Sequence, residues 1–348
     1  MELIFRIESL VAEIQREHAP DLRLGIFEVR VIEDAAGLAL VGVTSQPAAA
    51  EELHRRVGVL GDGRPIRDEV ERLPQGEAAE QPYALVRAAM VPLLASPIVS
   101  AAIVSQAVLG QRLTVLRELG RWLNCRAEDG YLGWVHRGYV SRCSEVEARA
   151  WEVGSGGEMC VSLGAVVRAP GGEVLARLPW GARVFGEEDG MVRLPDEERG
   201  RVEGEVIPLT SMPARFPARG DAVVETATQW MGAPYLWGGV TPDGVDCSGL
   251  AQAVYRTHGI LLPRDSDLQA RFGERVDPGA DFELLRAGDL LFFAEEENRV
   301  SHVAISRGGG RILHASLGNG GVRRNDLLGE LGYERELRRL FVEARRVF

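Results

Sequence analysis

The sequence predicts a multidomain α+β protein, on three observations. The chain has 348 residues and 45% apolar content, enough to build two to four separate cores. Its apolar period changes twice: helix and strand patterns mix at the start, short alternating runs fill the middle, and helices followed by strands close the chain. Polar, breaker-rich stretches, "LPQGEAAEQP" and "SMPARFPARGD", fall at those changes. The expected division is a small α+β unit over 1–80, two β units over 81–150 and 151–215, and a second α+β unit over 216–348.

In the first unit Leu3, Ile7, Leu10, Val11 and Ile14 recur at helical spacing, and "HAPDL" ends that helix through Pro20. "GIFEVRVI" and "GLALVGVTS" alternate like strands around an "EDAAG" turn. "SQPAAAEELHRRV" reads as a helix with Ser45 near its cap and Pro47 in its first turn. In the middle, "VLGQRLTVLRELGRWLNCRAEDGYLGWV" runs apolar, glycine, arginine, alternating strand, acidic turn, and "RLPWGARVFGEEDGMVRLP" repeats that order. Two small barrels of roughly 65 residues each explain the echo. In the last unit "DAVVETATQWMG" is amphipathic, and "CSGLAQAVYRTHG" sets Leu250 and Val254 on one stripe with Gly259 placed to end it. "GDLLFFA", "HVAISR" and "RILHAS" follow as strands.

The net charge of −11 argues against a nucleic-acid partner, because neutralising phosphates needs a basic face. Glu2, Arg6 and Glu8 interrupt the first apolar residues, so no signal-peptide core is read there, and no run of 18 apolar residues follows to span a membrane. Cys125, Cys143, Cys160 and Cys247 show neither CxxC spacing nor the density of a disulfide scaffold. The expectation is a monomeric, cytoplasmic protein; the alternative is an exported one whose signal precedes this sequence.

Chemistry concentrates in "GVDCSGL", residues 244–250. Asp246 suits a helix N-cap and so places Cys247 on the first turn, where unpaired N–H groups and the positive dipole end favour a thiolate nucleophile. Such a nucleophile needs a base, and the base needs a third polar group to orient it. "HVAISRGGGRILHAS" supplies both. If glycines 308–310 turn a hairpin centred on Gly309, Ala304 opposes His314, and His302 and His314 become diagonal neighbours about 7 to 8 Å apart on one face. The same parity sends Val303, Ile305 and Leu313 to the other face as core. The remaining cysteines read as buried structural groups. Of the other histidines, His18 ends a helix before a proline, His54 sits among charges, His136 falls in a β turn region, and His258 is expected as a cation favoured by a helix C-terminus. No HxxxH pair or paired CxxC calls for a metal, and no GxSxG or GxxxxGK[ST] motif is present. "AEEENR" at 294–299 reads as a solvated charged loop.

The stretches "GAPYLWGGVTPDGVDCSGLAQAVYRTHGILLPRDSDLQ", "LRAGDLLFFAEEENRVSHVAI" and "ILHAS", in that order over about 220–328, resemble the NlpC-type (NlpC/p60) cysteine peptidases of bacterial cell-wall peptides. "DGYLGWV" followed by "RGYV" resembles the end of a bacterial SH3-like domain. The resemblance implies a papain-like catalytic domain over 216–348, with SH3-like barrels over 81–150 and, more diverged, over 151–215. It implies hydrolysis of the γ-D-glutamyl to diamino-acid bond in peptidoglycan peptides with a free N-terminal L-alanine. Cys247 would be the nucleophile that forms a thioester acyl-enzyme, His302 the general base and His314 its orienting partner, with the Cys247 N–H in an oxyanion hole. Tyr131, Tyr235, Asp246, Ser248 and Ser266 would line the substrate pocket, Asp246 pairing with the substrate ammonium. No metal or organic cofactor is implied. Relatives also place an acidic residue of the first SH3-like domain near that ammonium, where "SPIVSAAIVSQAVLG" carries serine and alanine, and residues 1–80 have no counterpart among them. The same Cys/His/His set suits an amidase or acyltransferase, and the same fold suits a wall-peptide binding protein.

Overall fold

The computed structural model describes residues 2–61, 65–154, 157–296 and 299–348. Residues 297 and 298 of the expected charged loop lie outside the described residues.

In the first unit the helix Glu2–His18 buries Ile7, Leu10, Val11 and Ile14 in a core shared with the helix Pro47–Leu60 and the strands Phe27–Asp34 and Gly37–Thr44. Those strands pair antiparallel, and Gly37–Thr44 pairs parallel with Arg67–Arg72, the helix serving as the crossover between them. The helix cap is Gln46, not Ser45, whose hydroxyl instead accepts the Ile26 N–H at 2.9 Å. "LPQGEAAEQP" is more than a linker: Glu77–Glu80 forms a helical turn that buries Ala78 in the core of the next unit.

Seven strands between Tyr83 and Cys143 form one antiparallel sheet. Five strands between Glu158 and Pro208 form another, in which Glu158–Arg168 pairs along its length with three neighbours and so closes the sheet on itself. The helix Glu145–Val153, started by a capping box between Ser144 and Glu147, connects them. It inserts Trp151 into a core drawn from both sheets, with Leu85 and Cys143 on one side and Met159 and Phe185 on the other. The two β units are therefore packed together, because burying one indole requires surface from each.

The last unit carries a six-stranded sheet, with the strands Ala287–Phe293, His302–Arg307, Arg311–Ser316 and Gly321–Asp326 adjacent in that order. The helices Gly220–Gln229 and Cys247–Thr257 cover one face, where Val303, Ile305 and Leu313 share a core with Leu250 and Val254. Ala304 and Ile312 join Leu337, from the helix Gly332–Leu340, in a core on the other face. Gly259, at φ +77°, follows the nucleophile-bearing helix in the left-handed conformation that ends it without a Cβ clash. Among the described residues no helix is long and apolar enough to cross a membrane. All four cysteines are free and buried. Burial pushes the Cys125 and Cys143 thiols up to about 12 and about 11, which suits inert core groups.

His258 corrects an expectation. Its Nδ1 lies 2.8 Å from the Pro217 carbonyl oxygen and its Nε2 2.9 Å from the Thr226 hydroxyl, and burial holds its pKa below the ordinary 6.5. Desolvation outweighs the helix dipole, so the ring is a neutral structural group and not a helix-terminal cation.

Candidate active site

The nucleophile's position follows from its flanking residues. Asp246 Oδ1 accepts the Gly249 N–H at 2.7 Å and caps the helix, which makes Cys247 its first residue. Gly249 is needed because the preceding loop closes on it: a Cβ there would meet the Gly239 carbonyl oxygen at 2.1 Å. The Cys247 N–H has no backbone partner among the described residues, as expected for a first-turn donor, and remains available to a developing oxyanion.

Cys247 is 8% exposed, and its sulfur lies against the N–H groups of Val303 and Ser248, Val303 being the residue after His302. Burial, reinforced by the Asp246 charge, pushes the thiol up to about 12, against the smaller opposing pull of those two N–H groups and Arg264. The expectation of a thiolate made by the helix start is therefore corrected. Removing a sulfur anion from water costs more here than first-turn N–H groups return, so the resting group is a thiol that needs a base.

His302, the expected base, belongs to a hydrogen-bonded relay that crosses three strands. His302 Nε2 lies 2.7 Å from His314 Nδ1, and His314 Nε2 lies 3.0 Å from Asn325 Oδ1. Ile305 opposes Leu313, the register that sets His302 and His314 on a diagonal; Ile312 opposes Asn325 and His314 opposes Arg323, which makes Asn325 the next diagonal neighbour. Beyond it, Asn325 Nδ2 donates to Glu334 Oε1 at 3.3 Å, and the same oxygen accepts the Asp326 N–H at 2.9 Å. Asn319 Nδ2 also donates to Asn325 Oδ1, at 2.7 Å.

These partners assign the protons. A carboxylate only accepts, so Glu334 turns the Asn325 amide with its oxygen toward His314. Of the two groups beside His314 Nε2, the Asn325 oxygen at 3.0 Å is closer than Asn319 Nδ2 at 3.3 Å, and Asn319 Nδ2 already donates to that oxygen at 2.7 Å; the nearer acceptor favours a proton on Nε2, which leaves Nδ1 bare to accept from His302 Nε2–H. His302 Nδ1 is then the unprotonated nitrogen, ready to receive a proton. Burial, with the His314 charge adding to it, holds His302 well below 6.5, and burial holds His314 at about 4 despite the Asn325 bond. Both rings are neutral, as a base and its orienting partner must be at rest.

The residues expected to line the pocket divide into two groups. Tyr131, Asp246, Ser248 and Ser266 are buried, and Tyr235 is not. Asp246 accepts from Gly238 N–H at 2.8 Å, from the Ser248 hydroxyl at 3.2 Å and from Arg264 at 2.7 and 3.1 Å, in addition to its capping bond. Both of its oxygens are committed and its charge is matched by Arg264, itself 2% exposed, so the reading of Asp246 as the ammonium's partner is corrected. The Ser248 hydroxyl is committed to the same ion pair, accepting from Arg264 at 2.9 Å. Tyr235 is half-buried, and burial, with the nearby Asp246 charge adding to it, raises its pKa. Tyr131 reaches across from the first β unit and donates its hydroxyl to Asp265 Oδ2 at 2.8 Å.

Sequence reasoning missed Arg264, Asp265, Asn325 and Glu334. The first two flank one another in "PRDS", and a charge pair directly after the apolar "ILLP" was a usable signal. Asn325 shares the face-parity argument that paired the histidines, but only once the third strand's register is known.

Parts of the chain are similar to known proteins. Residues 232–339 match the model of the NlpC/P60 family, and residues 93–138 match that of the bacterial dipeptidyl-peptidase Sh3 domain. The chain is 26% identical over 258 residues to the gamma-D-glutamyl-L-lysine dipeptidyl-peptidase of Bacillus subtilis (strain 168), covering 67% of this chain and 80% of that protein. It is 41% identical over 97 residues to the protein of the same name from Bacillus cereus, covering 27% of this chain and 28% of that one, a likeness confined to part of each. The crystal structure of an NlpC/P60 family protein from Bacillus cereus ATCC 10987 shares the fold, with a TM-score of 0.62 at 22% identity over 76% of this chain and 99% of that one.

Proposed function

We propose that this chain, which carries an NlpC/P60 domain behind a bacterial SH3 domain, is a cysteine peptidase of peptidoglycan peptides that cuts the γ-D-glutamyl to diamino-acid bond two residues from a free N-terminal L-alanine. The observation that carries the reading is the Cys247 sulfur lying against the N–H of Val303, next in sequence to a histidine whose neighbours leave its Nδ1 bare. The bond preference is supported by the two similar dipeptidyl-peptidases.

In this mechanism His302 Nδ1 takes the thiol proton as the sulfur attacks the γ-glutamyl carbonyl carbon, and the Cys247 N–H receives the oxyanion. The imidazolium formed is steadied by His314 Nδ1 and then passes its proton to the leaving amine of the diamino acid. A thioester to Cys247 remains. Water attacks it, His302 takes the water's proton, and the thiol is restored as the dipeptide acid leaves. A resting thiol–imidazole pair, and not a preformed ion pair, is what a buried sulfur and neutral rings require.

The free-amine rule follows from the far end of the pocket. With Asp246 matched by Arg264, the carboxylate beside Tyr131 is Asp265, whose Oδ1 has no hydrogen-bond partner among the described residues. In this reading that oxygen accepts the ammonium. The second five-stranded unit reads as a diverged SH3-like copy that braces the catalytic helix, Trp180 Nε1 donating to the Thr257 hydroxyl at 3.0 Å. The test is cleavage of L-Ala-γ-D-Glu-diamino acid peptide against its N-acetylated form, with Cys247→Ala as the blank. The free peptide is expected to be cut and the blocked one spared; equal rates would remove the free-amine rule, and undiminished cleavage by Cys247→Ala would remove the cysteine mechanism.

A further inference from the structure

Residues 1–80 lie outside both family matches, yet one side chain from this unit reaches Asp265 of the last unit. The segment around Arg23 is fastened to the first β unit beside Tyr131. The Arg23 carbonyl accepts the Leu132 N–H at 2.8 Å, and Ile26 and Leu73 share a small core with Leu116 and Leu132. Glu28 meets Arg117 through two bonds of 2.7 and 2.8 Å.

From this base the Arg23 guanidinium reaches the catalytic unit. Nη1 donates to Asp265 Oδ2 at 2.7 Å, the same oxygen that accepts the Tyr131 hydroxyl. Nη1 and Nη2 also fork onto the two oxygens of Asp267 at 2.9 and 2.7 Å. Asp21 holds the opposite edge through Nε at 2.9 Å and Nη2 at 2.6 Å. The planar group is thus gripped along two edges, a geometry that an ammonium on a flexible stem does not reproduce.

We propose that Arg23 is a positioning residue of the substrate site, fixing the Asp265 carboxylate so that its second oxygen faces the substrate's N-terminal ammonium, and that the first unit is thereby a specificity element of the peptidase. The inference rests on the free-amine reading above. Asp265 precedes the short helix Ser266–Gln269 and makes no side-chain cap bond to it, so its orientation comes from other units. Tyr131 supplies one donor and Arg23 the other; with both on Oδ2 the carboxylate plane is set, and Oδ1 remains for the ligand. Arg23 also ties Asp265 to Asp267, which restrains the turn carrying Ser266.

The experiment measures kcat and KM of the full chain for the free and N-acetylated peptides, in wild type, Arg23→Ala and Arg23→Lys. Alkylation of Cys247 by iodoacetamide serves as a readout of the reaction centre alone. Arg23→Ala is expected to raise KM for the free peptide about five-fold, the loss suited to a half-exposed charged contact, with kcat and the alkylation rate changed less than about two-fold. Arg23→Lys should recover part of the KM, because it keeps charge without the fork. An Arg23→Ala enzyme with unchanged KM and undiminished preference for the free peptide would overturn the role of Arg23 and leave the free-amine reading standing. A wild type that cuts both peptides equally would remove that reading and this inference together. A parallel fall in kcat and alkylation rate would show a general structural defect and also overturn the positioning role.

Discussion

His302, His314, Asn325 and Glu334 come from one stretch of the last unit, 302–334, whereas Arg23, Ser105, Tyr131, Arg264 and Asp265 converge on the pocket from three separate units. The two ends of the site are ordered by different physics. In the relay each step is a diagonal across adjacent strands, so sheet register alone brings the rings and the amide together. In the pocket no backbone ladder joins the partners. Their alignment depends on how the units dock and on charges that need matching once buried, as when Arg264 Nε donates to the Ser105 hydroxyl of the first β unit at 3.1 Å. On the proposed function, chemistry is therefore kept within one unit, and selectivity is distributed over interfaces.

The largest effect that sharpens this contrast belongs to the relay. His302→Ala should lower kcat by roughly 10³-fold or more with little change in KM, since it removes the proton acceptor and no pocket contact; steady-state kinetics on the free peptide measures it. Next comes the pocket's buried ion pair. Arg264→Leu should destabilise the protein by about 3–5 kcal/mol in urea unfolding, because Asp246 is left charged and buried without its partner. A loss below about 1 kcal/mol would break the view that the pocket end is held by charge matching.

Acid provides a third comparison, because it loads the buried rings, two of which form the relay. His314 is held at about 4 in the folded chain against the ordinary 6.5 of a solvated imidazole, so between those values the unfolded chain binds more protons. Stability is full above 6.5 and falls as the pH drops toward 4, by roughly 3 kcal/mol from this ring, with His302 and His258 shifted in the same direction. Unfolding midpoints at pH 7, 5.5 and 4 give the measurement; a flat profile would show that the rings are not neutral when folded. The smallest effect is expected one bond further out. Asn325→Ala should lower kcat about ten-fold at unchanged KM, since it frees the His314 tautomer without removing a ring.

Much of the relay was legible before any fold was known. The hairpin glycines, the strand alternation and the diagonal rule brought His302 to His314 from one strand pair, because register is a short-range property. Asn325 and Glu334 were out of reach, since the first needs the register of a third strand and the second the docking of a helix. At the other end, Tyr131 was singled out through family likeness, but nothing around Arg23 in "APDLRLG" marks it as a pocket residue. His258 and Ser45 show the same limit: each was placed correctly at the end of its helix, yet the hydrogen bonds that define its state come from residues 19 or more positions away.

The sequence by itself determined the order of the units, the cap that makes Cys247 a first-turn residue, and the hairpin parity that joins the two histidines, because capping, period and turn chemistry act over a few residues. The tertiary structure decided that the sulfur rests as a thiol, that Asp246 answers to Arg264, and that Arg23 from the first unit reaches Asp265. Desolvation and charge pairing depend on which surfaces meet, and those surfaces belong to residues that the chain keeps far apart until it folds.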